Sequence, residues 1–444
     1  MSTPSDDPPA YKSEDEESIP NDIAETDAVL PGAPSETTAL LGRPTSLNGS
    51  SERTLTLIQM VELNAFWYSY QLYWFLVFVV IVPRQIQQIA GDKGKGSAIS
   101  LVSLFAGVLN LFLAVFVGAM NDRVSGSSGK RHPWIVMGSI GMCLCLFLLW
   151  PTNSLWFYVI GYGCLTASTV IASVPFNGLI ADVTPTEQKA RVSAIMGGMN
   201  LIGYLSGAVV GIFAEQMGTV PLYIFMCTCV CLGTYLTVGR GPREPEKNYV
   251  VRVPPPIEWK PFLIAMVSPL WLHRDFALVF TSRFLFQLGI ATIQQFMQYW
   301  ISDCVSTTFP PQRAVSVALL PLFILSPIAA FFLPPTNRKL TVYLSTCLMI
   351  ITCLILISAR TFAFALLASA VFGAGYGPFL STEFAMLMDV LPNQVDAAKD
   401  MSLWHSALVW PQIISLPIAG FIRDAGQMYF VAGALVTKAI RGVV

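Results

Sequence analysis

Charge is what this sequence has least of: Asp, Glu, Lys and Arg make up 12% of it, against roughly 25% in a soluble domain. Its 26 basic and 27 acidic residues leave a net charge of −1, so no basic footprint exists and nucleic acid is excluded as a partner. Histidine is scarcer still, with 3 residues in unrelated places. There is no nucleophile elbow, no Walker loop and no HExxH helix, hence no motif for catalysis, for nucleotide-driven work, or for a resident cofactor or metal. The 9 cysteines fall almost entirely inside apolar runs. Cys227, Cys229 and Cys231 stand at i, i+2, i+4, a spacing that cannot put three thiolates on one helix face, so they read as small apolar residues.

Apolar surface is what the chain has in excess. Hydrophobic residues make up 54% and mean hydropathy is +0.60, the composition of a chain that crosses a lipid bilayer many times. Residues 1–53 are the exception: rich in Ser, Thr, Pro, Asp and Glu, they cannot bury enough apolar surface to offset chain entropy and read as a disordered acidic cytoplasmic tail. The tail holds Glu36-Thr-Thr-Ala-Leu40-Leu41, similar to acidic dileucine sorting signals, which points to a vacuolar or endolysosomal membrane beside the plasma membrane. The sequon at Asn48 should be unused if the tail is cytoplasmic.

Apolar runs between turn and charge clusters predict helices near 62–82, 98–120, 134–150, 155–180, 192–214, 220–238, 276–300, 314–333, 341–358, 361–388 and 401–422. A further stretch, Gln427 to Thr437, offers only about half of the ~20 residues a span needs and reads as a shortened last helix. With the amino terminus inside, Arg123, Lys130, Arg131, Lys189, Arg191, the group from Arg240 to Arg274, Arg338, Lys339 and Lys399 fall on the inner side. Only Arg84, Lys93, Lys95, Arg313, Arg360 and Arg423 fall outside, the bias expected of cytoplasmic loops. The inner loop 239–275, stiffened by Pro254-Pro255-Pro256, divides the chain into a bundle over 54–238 and a second over 276–444. The halves echo each other. Asp182-Val-Thr-Pro185 follows the fourth helix and Asp389-Val-Leu-Pro392 the tenth, each followed by a basic residue, Arg191 or Lys399, entering the next helix.

Between the second and third helices runs GAMNDRVSGSSGKRHPW, Gly118 to Trp134, a charged, glycine-punctuated loop in which Gly118 would allow close helix approach. This segment resembles the loop of the glycoside–pentoside–hexuronide and sucrose transporter branch of the major facilitator superfamily, where Gly-x-x-Ser-Asp-Arg leads to Gly-Arg-Arg-x-Pro. Asn121 stands for the usual Ser and Lys130 for an Arg. PFNGLIADVTPTEQKARVSAIMG, SRFLFQLGIATIQQFMQYWISD and STEFAMLMDVLPNQVDAAKDMSLWHSALVWPQIISLPIAG extend the resemblance over about residues 62 to 426. It implies an all-α membrane protein with the major facilitator fold, two six-helix bundles that rock about a central site. It also implies a cytoplasmic gate made by Asp122, Arg123, Arg131, Asp182, Arg191 and Asp389; the plainer alternative is that these charges cap helix ends.

Polar residues inside the spans mark the candidate site. On the first helix Asn64, Tyr68 and Gln71 fall within a stripe of about 60°, with Trp67 beside it, suited to hydrogen bonding and stacking on a sugar. An interfacial aromatic belt would account for Trp67 and Tyr68 but poorly for Gln71. On the seventh helix Arg283, Gln287, Gln294 and Gln298 share one stripe, and an arginine within a span costs at least ~2.5 kcal/mol, so it needs a partner or a wet cavity. Glu383 lies at a similar estimated depth on the tenth helix, which the resemblance turns towards the same cavity. It is the candidate partner, and His405, which starts the next helix at a similar depth, is either a third coupling residue that handles protons or an end-of-helix histidine hydrogen-bonded to backbone. These features predict a secondary transporter for a sugar or related small polar solute, with the proton as coupling ion through Glu383 and Arg283. A transporter-like sensor without turnover and an efflux carrier for an amphipathic compound are the alternatives.

Overall fold

The computed structural model describes residues 54–123, 131–149, 153–242, 268–332, 338–358, 360–390, 403–404, 406–426, 430–431 and 436–437. The tail with its dileucine motif and sequon, most of the inner loop, and His405 lie outside the described residues.

The chain is a succession of long helices: α1 (Leu57–Phe75), α2 (Val82–Arg123), α3 (His132–Leu149), α4 (Leu155–Val183), α5 (Lys189–Met217) and α6 (Thr219–Thr234), then α7 (Arg274–Cys304), α8 (Pro311–Phe332), α9 (Arg338–Ser358), α10 (Phe362–Val390) and α11 (Val409–Gly426). Among the described residues 9 stretches are long and apolar enough to cross a membrane; the first, Leu57–Gly118, holds two passes. Gly91 separates them. Its φ of 68° is a left-handed conformation that a side chain resists, and it ends the first pass and starts the second. This is an integral multi-pass membrane protein. Large apolar side chains such as Phe112, Phe331 and Phe421 are exposed on its outside, as a lipid-facing surface requires.

Local chemistry sets the helix ends. Thr56 and Gln59 form a capping box at the start of α1. α6 ends in a π-turn, Tyr235–Arg240, whose Thr237 hydroxyl contacts the carbonyls of Glu62 and Leu63 and accepts from the Phe66 N–H, tying α6 to α1. α1 packs on α5 and α6, and α3 on α4 and α6, whereas among the later helices α8 and α9 both pack on α10. Two seams join the early helices to the late ones, α2 against α11 and α5 against α8.

Two expectations are corrected. A side chain at Gly118 would meet Val174 at 3.8 Å, ordinary contact distance, so no close helix approach depends on that glycine. In the stretch expected as a short last helix, Phe430–Val431 pair antiparallel with Val436–Thr437 as two short strands. Valine and threonine at the paired positions favour an extended backbone, and a segment this short gains little from helix formation.

Candidate functional site

Polar side chains gather at both ends of the bundle and at one place in its interior. At one end lie Arg131 and Asp182. Arg131 Nε donates to Asp182 Oδ2 at 2.6 Å and its Nη1 donates to Asn121 Oδ1 at 2.9 Å, clipping the start of α3 to the ends of α4 and α2. Gly178 makes this possible, since a side chain there would overlap the guanidinium. All of these residues belong to the early helices. Arg191 is exposed on α5, while the side chains of Asp122, Arg123 and Asp389 lie outside the described residues. No hydrogen bond or ion pair among the described residues joins early to late helices at this end.

The opposite end is sealed. Asp424 of α11 accepts from the Gly96 and Ser97 backbone N–H groups at 3.0 and 2.6 Å and from the Ser97 hydroxyl at 2.6 Å. A carboxylate near the start of the second pass complements the helix dipole there. Lys95, only 1% exposed, donates to Asp303 of α7 at 3.0 Å, and Arg423 reaches the same carboxylate at 3.1 Å and the Asp92 carbonyl at 3.0 Å. Tyr299 donates to the Pro83 carbonyl at 2.8 Å with Lys95 above its ring, and Arg84 donates to Gln312 at 2.7 Å. Beneath this layer Gly96 and Gly420 let α2 and α11 approach backbone to backbone, with Ser100 donating to the Leu416 carbonyl at 2.6 Å. Apart from Arg423–Asp303, which ties α11 to α7, every one of these contacts joins an early helix to a late one. Sequence reading had taken Lys95 and Arg423 only as outer-loop charges; the signal available was that opposite charges meet at the same ends of α2, α7 and α11.

Within the bundle Arg283 and Glu383 are in contact, Nη1 to Oε2 at 2.8 Å, and both are buried. Among the described residues one hydrogen bond joins the pair. Arg283 Nε and Glu383 Oε1 have no hydrogen-bond partner among the described residues. Gln298 shares the buried position of Arg283 on α7, whereas Gln287 and Gln294 are half-buried. Gln295, which lay off the predicted stripe, is fully buried, and neither of its amide atoms has a hydrogen-bond partner among the described residues. Tyr376 of α10, which sequence reading missed, stands seven residues before Glu383 on the same helix. Its ring continues a ladder through Phe286 to Phe379.

The first-helix stripe is oriented differently from the expectation. Gln71 and the Tyr68 backbone pack where Gly203 of α5 leaves room, and the Tyr68 hydroxyl is 3.2 Å from Ser206. Asn64 is fully buried and donates to the Met60 carbonyl at 2.8 Å. A helical wheel fixes which residues share a face but not what that face meets; Gly203 and Gly207 at i, i+4 were the signal that α5 docks there. Trp67, half-buried, stacks on Tyr70 and on Phe176 of α4 at 5.1 and 5.6 Å. Phe176 stands six residues before Asp182, as Glu383 stands six before Asp389. At matching positions of the repeat, one half thus holds an aromatic stack and the other an ion pair. A groove of about 630 Å³ lined by His132, Pro133, Val136, Met137, Ile140 and Val238 shares no residue with either.

Long apolar helices, a cross-linked layer between early and late helices and an intramembrane charge pair fit a membrane transporter. The profile described as MFS/sugar transport protein matches residues 95–396, and the chain belongs to that family of the major facilitator superfamily. The fold is similar to the nucleoside transporter NupG, at 13% identity over 87% of this chain and 96% of that one, with a TM-score of 0.64. It is similar also to a bacterial homologue of the lysosomal transporter Spinster, 11% identical over 84% of each chain at 0.60, and to the peptide transporter POT, 12% identical over 87% and 93% at 0.61. In sequence it is 22% identical over 152 residues to the class E tetracycline resistance protein of Escherichia coli. That match spans 34% of this chain and 35% of the relative.

Proposed function

We propose that the protein is a proton-coupled secondary transporter of a sugar or related small polar solute, working by alternating access. The observation that carries this reading is the buried Arg283–Glu383 pair, held by one bond in the interior of a membrane transporter that has no nucleotide motif. An intramembrane ion pair is expensive unless it has a task. Glu383 Oε1 is a free acceptor for a proton, and Arg283 is the group that stabilises the carboxylate when the proton leaves. Gln287, Gln294 and Gln298 supply hydrogen bonds for hydroxyl groups, and Trp67 and Tyr68 supply aromatic faces. Asn64 and Gln71 shape the wall from behind.

With the amino terminus inside, the sealed end is the outer face. The Arg131–Asp182 clip, Arg191 and the neighbouring Asp122, Arg123 and Asp389 then form the gate that engages when the inner end closes. The aromatic rings around Trp67 and Tyr376 favour a second reading, efflux of an amphipathic compound. Uptake by reconstituted protein decides between them. Saturable entry of a mono- or disaccharide, increased by an inward proton gradient, supports the proposal. Binding without counterflow indicates a sensor, and transport restricted to flat amphipathic dyes indicates the efflux carrier.

A further inference from the structure

Arg283 has a second neighbour besides Glu383. The guanidinium carbon lies 3.5 Å from the centre of the Trp404 ring. Trp404 is 3% exposed and belongs to a small apolar cluster with Phe276, Leu387 and Leu403, so its ring is held by packing. The flat cation therefore has a carboxylate at one edge and a π-face on its plane.

We infer that Trp404 is the positioning residue for the charge pair, keeping Arg283 beside Glu383 during the half-cycle in which the carboxyl group is neutral. The inference rests on the coupling role proposed above. When a proton adds to Glu383 Oε1, the carboxylate charge disappears and no other bond forms or breaks; the same proton leaves from Oε1 on release. In that interval Arg283 has lost its counter-ion, and a buried guanidinium free to turn would move towards water. A desolvated cation over a tryptophan face is held by the negative potential of the ring. With Arg283 kept in place, the proton on Glu383 faces a fixed positive charge and leaves readily. Without the indole, Arg283 relaxes away, the protonated state gains, and release is hindered.

Other charged and titratable groups stand on the elements around the pair, and α7 itself begins with Arg274 and Asp275. Tyr376 is on the same helix as Glu383. α9 begins with Arg338 and Lys339, α8 carries Arg313 over Phe309 at the other end, and Asp389 and His405 lie close by in sequence.

The test is the titration of the Glu383 carboxyl group in the full-length purified protein, followed as its protonated C=O band by infrared difference spectroscopy with Glu383→Gln as the blank. It needs no solute. Trp404→Leu should raise the pH of half-protonation by about one unit, and Trp404→Phe should largely restore it. Graded fluorination of the indole at position 404 alone keeps its shape while weakening the π-face, so it tests the same point if Trp404→Leu does not fold; the midpoint should climb with each fluorine. A midpoint unmoved by Trp404→Leu or by fluorination overturns the inference and leaves the coupling role standing. If Glu383→Gln removes no titrating band at all, the coupling role fails and the inference with it.

Discussion

Removing the Asp424 carboxylate should open the sealed end. Asp424 accepts three bonds from the start of the second pass, at 3.0, 2.6 and 2.6 Å, all between helices that must separate when that end opens. Hydrogen bonds to a charged group contribute ~1.5–3 kcal/mol each. The three share two oxygens, and water replaces them once the end is open, so the net bias towards closure is roughly 2–3 kcal/mol rather than their sum. Since each 1.4 kcal/mol is tenfold, Asp424→Ala should shift the balance of closed and open states by roughly 30- to 150-fold. Asp424→Asn, which keeps an acceptor but loses the charge, should fall between. The assay is the distance between spin labels at Lys93→Cys and Thr308→Cys, both exposed at that end, in a background with the 9 native cysteines replaced. A longer population should appear in Asp424→Ala. An unchanged distribution in folded protein would refute the assignment of this layer as the seal.

Other outcomes follow from the same geometry. Gly420→Ala would place a methyl group against the Gly96 backbone and Ser100, so it should lengthen the same spin-label distance without altering any charge. Arg283→Gln and Glu383→Gln should each cost about 3–5 kcal/mol of stability by leaving a buried charge alone, whereas the double variant should recover most of it in thermal unfolding; losses that simply add would show that the residues do not interact. Gly178→Ala should displace Arg131 from Asp182 and lower the maximal transport rate while apparent affinity stays near that of the parent. Trp67→Ala should raise the KM for the transported sugar about tenfold, the effect of losing ~1.4 kcal/mol of stacking, and should also lower thermal stability because its ring stacks on Tyr70 and Phe176.

The membrane helices were legible because a ~20-residue apolar run has few other uses. Arg283 and Glu383 were legible for the complementary reason, since a charge inside such a run is rare and must be compensated. The seal was not. Lys95, Asp303, Arg423 and Asp424 sit at helix ends, where charges are commonplace, and their partners are more than 100 residues away in sequence, with no periodicity to link them. The first-helix stripe was legible as a stripe but not as a contact, because side-chain spacing carries no information about which neighbour docks on it. The last segment was misread because hydropathy registers its valines without registering that β-branched residues in so short a stretch also suit a strand.

The central claim is that solute and proton move together through the Arg283–Glu383 pair, and proton movement driven by solute in proteoliposomes tests it most directly. With no imposed gradient, adding the transported sugar outside parent protein should make the external medium more alkaline as protons enter with it. Glu383→Gln should still exchange labelled for unlabelled sugar while leaving the external pH unchanged. If Glu383→Gln moves protons with sugar as the parent does, the pair is not where coupling occurs.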